Sequence, residues 1–248
     1  MKESVAVTPA AAQALVPRHL AIIMDGNHRW ARARGLPGSA GHRAGARTVR
    51  PVAEQAAELG IEVLTLFAFS TENWRRPRRE VALLMELMKR MLRDDVDELD
   101  RNRIEIRIIG DRSRFSPEIR DLMRMAEERT RGNSRMTLMI AANYGGRWDI
   151  VNACRNLAQQ ARSGALDPET IDEALVASVT ALGDVPAPDL CIRTGGECRI
   201  SNFLLWQLAY AELYFTETYW PDFGGDALLA AIESYACRQR RFGRRLHE

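Results

Sequence analysis

His19-Leu20-Ala21-Ile22-Ile23-Met24-Asp25 runs directly into Gly26-Asn27-His28-Arg29-Trp30. Five apolar residues in succession, Leu20 to Met24, with no polar alternation, describe a strand covered on both faces. Strands of that kind belong to parallel sheets with helices on either side. Outward from it, Ile61–Ser70 (IEVLTLFAFS), Ile104–Gly110, Met136–Asn143, Leu190–Thr194 and Leu213–Thr218 read as further strands. Between and after them, helical patterns cover His42–Leu59, closed by Gly60, then Arg78–Arg101 and Pro117–Arg131, which has proline at its first turn and Gly132 beyond its end. Arg147–Arg162, Pro168–Leu182, Asn202–Ala211 and Asp226–Phe242 complete the helices. The alternation predicts an α/β fold, a single domain with a mainly parallel central sheet of about six strands flanked by helices. With no internal repeat and no linker composition, that domain spans 18–248, behind a disordered leader at 1–17.

The composition narrows the class. The chain has 248 residues, 46% hydrophobic and 27% charged, with a formal net charge of +2. Near-neutrality argues against a partner that is a nucleic-acid polymer. Four cysteines (Cys154, Cys191, Cys198, Cys237) show no CxxC spacing, which favours reduced thiols over a disulfide framework or a zinc site. No apolar run reaches the ~18 residues of a membrane span, and the leader lacks the uninterrupted apolar core of a signal peptide. A cytoplasmic protein that touches a membrane surface at most is the expectation. Of the 35 basic residues only Lys2 and Lys89 are lysines. A GC-rich genome explains such a bias, and so does a need for planar forks that grip phosphate.

Ligands of parallel sheets lie beyond the carboxyl ends of the strands. Asp25, Ser70, Asn143 and Arg193 end four of them and predict one polar rim. Asp25-Gly26-Asn27 entering a basic helix suits an anion with a divalent cation, although the spacing alone equally describes an Asp-Gly turn capped by Asn27. Phe69–Glu80 (FSTENWRRPRRE) crowds four arginines at a helix start, an arrangement that calls for a compensating anion. Arg193–Asn202 (RTGGECRISN) sets two arginines around a Gly-Gly turn as a second anion cradle. In Val81–Leu92, nine of twelve residues are apolar, more than one amphipathic stripe, so the helix is either wedged in the core or walls a greasy ligand.

Together DGNHRW, Gly41-His42, FSTENWRRP, AANYGGRWDI (Ala141–Ile150), IRTGGECRISNFLLWQ (Ile192–Gln207), AELYF (Ala211–Phe215) and RRFG (Arg240–Gly243) resemble the cis-prenyltransferases, in order, from about His19 to Gly243. The resemblance implies a Mg²⁺-dependent homodimer that condenses isopentenyl diphosphate repeatedly onto farnesyl diphosphate with cis geometry. The implied product is a long polyprenyl diphosphate, undecaprenyl diphosphate for the cell-wall lipid carrier, built in a hydrophobic tunnel and delivered to the membrane. It implies catalytic roles for Asp25, Asn27 and His42, and metal binding by Asp25 and Glu212. It implies substrate binding by Gly26, Arg29, Trp30, Ser70, Asn73, Trp74, Arg76, Glu80, Arg193, Arg199 and Ser201, and by Arg241 reaching a partner's site. The Val81–Leu92 helix, with Ala68, Met136 and Ile140, would line the tunnel. The alternatives are a short-chain or irregular-chain relative, and a noncatalytic partner subunit that retains the fold and the C-terminal RxG, against which Asp25 with Arg193 and Arg199 argues. Three positions depart from the pattern: Gly38 stands where many relatives have Arg, His28 replaces the commoner Gly or Arg, and Cys198 replaces a His in some.

Overall fold

The computed structural model describes residues 16–238. Residues 1–15 of the expected leader 1–17 and the C-terminal stretch with Arg241 lie outside the described residues, whereas Val16 packs against the core and Pro17 is buried, so residues before the expected boundary already belong to the fold. Six parallel strands form one sheet: β1 (His19–Ile23), β2 (Val63–Ser70), β3 (Ile104–Ile109), β4 (Met136–Tyr144), β5 (Leu190–Arg193) and β6 (Glu212–Phe215). Their order across the sheet is β3-β4-β2-β1-β5-β6. The strand reading of the sequence is borne out, and β1 is central, as its unbroken apolar run requires. Register places Ile23 beside Phe67 of β2 and beside Arg193 of β5.

Alternation along β1 divides its side chains between two cores. Leu20 and Ile22 pack with the helices of one face, and Ala21 and Ile23 with Phe203, Leu204 and Leu208 on the other. The helices that matter for the site are α1 (Asn27–Ala33), α2 (Gly38–Glu58) and α3 (Arg78–Arg90). α2 begins four residues earlier than the sequence suggests, because small residues let it lie against α1. A Cβ on Gly41 would sit 1.9 Å from the Asn27 carbonyl oxygen, and one on Gly45 2.0 Å from the Asn27 Oδ1. The expected helix Arg78–Arg101 is a single rod with a wider, π-type turn at Met91–Asp95, continued by α4 (Val96–Arg101). Beyond it come α5 (Pro117–Thr130), α6 (Gly146–Arg162), α7 (Glu173–Ser178) and α8 (Gly225–Ala236).

Two expected helices are corrected. Asn202–Ala211 is a series of turns, because Ser201, Asn202 and Leu204 all take positive φ, where a right-handed helix cannot start. That path lets the Asn202 carbonyl accept from the Gly146 amide at 2.6 Å and buries Phe203 and Leu204 completely. Pro168–Leu182 keeps only α7, capped by Asp172. The Ser178 and Thr180 hydroxyls bond back to the Leu175 and Ala177 carbonyls, which competes with helix continuation. β6 is Glu212–Phe215 where Leu213–Thr218 was expected. No helix of the described residues is long and apolar enough to cross a membrane.

Candidate active site

β1 and β5 are neighbours, yet β2 continues the sheet on one side and β6 on the other, so a crevice opens above their carboxyl ends. Asp25 stands at its centre. Its Oδ2 receives Arg193 Nη2 at 2.8 Å and lies 3.1 Å from Arg29 Nη2, while Oδ1 accepts the Gly26 amide at 2.6 Å. Gly26 takes φ 99°, which turns the chain back over the carboxylate. Thr194 clamps the same spot, accepting from the Asp25 amide and donating to its carbonyl. Partial burial opposes ionisation of Asp25, but Arg193, the Gly26 amide and Arg29 outweigh it and hold its carboxyl below the usual carboxylate range.

Arg193 is 4% exposed. Its Nη1 donates to Ser201 Oγ at 2.7 Å and to the Arg199 carbonyl, and its Nε is buried without a partner. An unpaired guanidinium nitrogen in a crevice is the kind of exception that a ligand completes. Arg199 reaches into the same mouth, paired with Glu197.

The second half of the mouth comes from α1, α2 and the turn after β2. Arg29 pairs with Glu197 as well as with Asp25. His42 faces Glu80 at 3.2 Å, and Arg76 donates to the same Glu80 oxygen at 2.8 Å. Burial lowers the His42 pKa, opposed by Glu80 and assisted by Arg76. The Asn27 carboxamide is wedged against Gly45 with its oxygen buried and unpaired. Ser70 and Asn73 form a reciprocal cap on the short helical turn Thr71–Arg75, so these two expected ligands also build the loop that carries them.

One cavity of about 790 Å³ joins both halves. Below the polar mouth it is lined by Leu84, Leu87, Met88 and Met91 of the α3 rod, with Ala68 and Ile140 from the sheet. The apolar helix therefore serves core and cavity at once. Met136, expected beside them, is buried in the core and does not reach the cavity.

Several expected residues stand elsewhere. Trp30 points away from the cavity and donates to Asp222 at 2.7 Å, with Arg34 over its ring. Trp74 anchors the turn by donating to Asn143 Oδ1 at 2.8 Å and packing on Phe69. Glu212 is not brought to Asp25. It opens β6 opposite Leu190, at the amino ends of the strands, and pairs with Arg238 at 2.9 Å. Three residues of parallel strand separate that level from Arg193, about 10 Å. Conversely, Glu72 and Arg147 line the cavity without having been singled out. Glu72 accepts from Asn202 Nδ2 at 2.8 Å, tying the turn after β2 to the loop after β5. Both lie inside motifs of the sequence, Glu72 in FSTENWRRP and Arg147 in AANYGGRWDI, and that membership was the signal for them.

Among the described residues no three His, Cys, Asp or Glu side chains gather as a metal cage. A hard cation held by one carboxylate and by substrate phosphates needs no such cage. Asp25 fits that use, since it is ionised, faces the cavity and has lone pairs beyond those engaged by Arg193, Arg29 and Gly26. Cys198, a soft sulfur beside the Gly196 carbonyl, does not.

Comparison with known proteins places this geometry. A family model described as "Putative undecaprenyl diphosphate synthase" matches residues 23–243. Over 229 residues the chain is 62% identical to the ditrans,polycis-undecaprenyl-diphosphate synthase ((2E,6E)-farnesyl-diphosphate specific) of Pseudomonas syringae pv. tomato, covering 92% of this chain and 91% of that protein. The identically named protein of Pseudomonas putida is 60% identical over 237 residues, covering 96% and 94%. Among solved structures, lavandulyl diphosphate synthase from Lavandula x intermedia in complex with dimethylallyl diphosphate superposes with a TM-score of 0.90. It is 41% identical, over 93% of this chain and 99% of that one.

Proposed function

The chain belongs to the undecaprenyl diphosphate synthase family of cis-prenyltransferases, and on that premise we propose that it elongates farnesyl diphosphate with isopentenyl diphosphate to a long cis-polyprenyl diphosphate of the undecaprenyl type. The observation that carries this reading is the single cavity with an ionic mouth at Asp25 and Arg193 and an apolar depth under α3. An amphiphile with a diphosphate head and a hydrocarbon tail is its chemical complement.

The chemistry assigns work to this chain's residues. Breaking the allylic C–O bond leaves negative charge on the departing diphosphate, which preorganised donors stabilise in a water-poor site. Arg76 and His42 flank one head-group position, with Arg29 held beside Asp25 at its border. Arg193, Arg199 and Ser201 surround the other and hold the isopentenyl group above the reacting carbon. Mg²⁺, when bound by Asp25 and the phosphates, adds countercharge to the leaving group. The turn Thr71–Arg75, latched by Glu72 to Asn202, covers the mouth and keeps water from the allylic cation.

A homodimer suits the edge of the sheet, where β6 exposes Leu213 and Phe215 and the neighbouring Tyr210 is 76% exposed. The lipid product leaves from a cytoplasmic protein to the membrane surface. Incubation with farnesyl diphosphate, isopentenyl diphosphate and Mg²⁺, followed by chromatographic sizing, tests the reading. Products lengthened by many units support it, and no elongation at any Mg²⁺ concentration sinks it. The likeness to lavandulyl diphosphate synthase favours one second reading, a short or irregular product. One or two additions would identify that case.

A further inference from the structure

We infer that His28 grips the head group of the allylic substrate, and that Gly38 is glycine so that the His28 ring can stand there. This rests on the function proposed above and names a residue of that same site.

The apolar depth lies beneath the α1–α2 half of the mouth, where Val49 of α2 and Leu84, Leu87 and Met88 of α3 line the cavity. The head group of the substrate that carries the long tail therefore belongs to that half, apart from Arg193, Arg199 and Ser201. Three of the nitrogen-bearing side chains there are already engaged. Arg29 pairs with Asp25 and Glu197, and Arg76 and His42 share Glu80. His28 lines the same cavity, is exposed, and has no hydrogen bond or ion pair among the described residues. It is thus an imidazole in this half that a diphosphate can recruit without first displacing a carboxylate.

The ring also sits in a defined place. His28 borders a smaller compartment of about 260 Å³ shared with Gly38, His42, Arg79 and Glu80. A Cβ built on Gly38 would approach His28 Cδ2 to 2.5 Å and Nε2 to 2.9 Å. Even a methyl group at 38 would therefore push the imidazole from its position. The two residues lie on different helices, and neither identity explains itself alone. Gly38 costs helix stability at the start of α2, and His28 leaves an unpaired imidazole at the surface. As a pair they set one donor over the mouth.

The test is a double-mutant cycle on the full chain, read by calorimetric binding of farnesyl thiodiphosphate as an unreactive probe. H28A is expected to weaken binding about tenfold, the scale of one hydrogen bond to a charged group. G38A is expected to weaken it comparably, and H28A/G38A no further than H28A alone. The KM for isopentenyl diphosphate should stay unchanged in H28A. Unaltered probe binding in H28A, independent multiplying losses in the cycle, or an equal rise in the isopentenyl diphosphate KM would overturn the assignment. Wild-type protein that fails to bind the probe would instead overturn the proposed function, and the inference with it.

Discussion

Arg193, at the end of β5, places Nη2 2.8 Å from Oδ2 of Asp25, just beyond the end of β1, and so joins the two strands across the crevice at the mouth of the cavity. The pair makes the mouth a site of matched opposite charges. Each partner keeps free capacity: Arg193 its buried Nε, Asp25 its remaining lone pairs.

Replacing Asp25 by Asn preserves the shape and removes the charge. Turnover should fall by ~10²-fold or more, the usual cost of losing a group aimed at developing charge. Steady-state kinetics over a range of Mg²⁺ concentrations, with circular dichroism to verify the fold, checks this. Near-normal kcat would remove Asp25 from its role.

His19 opens β1 at the other end of the sheet, fully buried. Its Nδ1 donates to the Pro186 carbonyl at 2.6 Å, so Nε2 accepts from Thr65 Oγ1 at 2.7 Å, and the ring is neutral in the fold. Burial lowers its pKa from 6.5 to about 4, against weaker support for the charged form from the Pro186 carbonyl and Asp189. Below pH 6.5 the unfolded chain binds a proton that the folded one refuses. Its contribution to stability is therefore complete above that pH and is lost as pH falls toward about 4, on the order of 3 kcal/mol. Urea titrations from pH 7.5 to pH 4 should show this slope, and His19→Gln should flatten it.

Asp149 is 2% exposed and accepts from the Tyr144 hydroxyl at 2.8 Å, Gln207 Nε2 at 2.9 Å and the Ala181 amide at 2.9 Å. Asp149→Ala strands three donors at once, two of them on buried side chains. A loss of about 3 kcal/mol or more is expected, lowering Tm by roughly 5–10 °C. Calorimetry measures it; an unchanged Tm would mean that water replaces the carboxylate.

Met91 lines the apolar part of the cavity near the carboxyl end of the α3 rod. Met91→Trp should fill that space and shorten the polyprenyl chain while initial additions proceed. Chromatographic sizing decides it, and an unaltered length distribution would exclude Met91 from the path of the growing chain.

The strands were legible because covering both faces of β1 and β2 demands short, largely apolar runs rich in β-branched and aromatic residues and bounded by turn signals, whereas the comparably apolar Val81–Met85 belongs to a longer helical pattern. Asp25, Ser70 and Arg193 were legible as a rim because parallel strands end together. Asn202–Ala211 was not legible. Its residues carry helical composition, but contact with Gly146 and α6 holds Ser201, Asn202 and Leu204 at positive φ.

Local pattern determined the α/β class, the strand order along the chain and the chemistry of the mouth, because periodicity and motif residues are properties of neighbours in sequence. Tertiary structure alone decided that Glu212 lies at the far end of the sheet, that Glu72 meets Asn202, and that the His28 ring rests on Gly38. Those relations depend on strand register and on how closely α2 approaches α1. Both are set by packing between segments tens of residues apart.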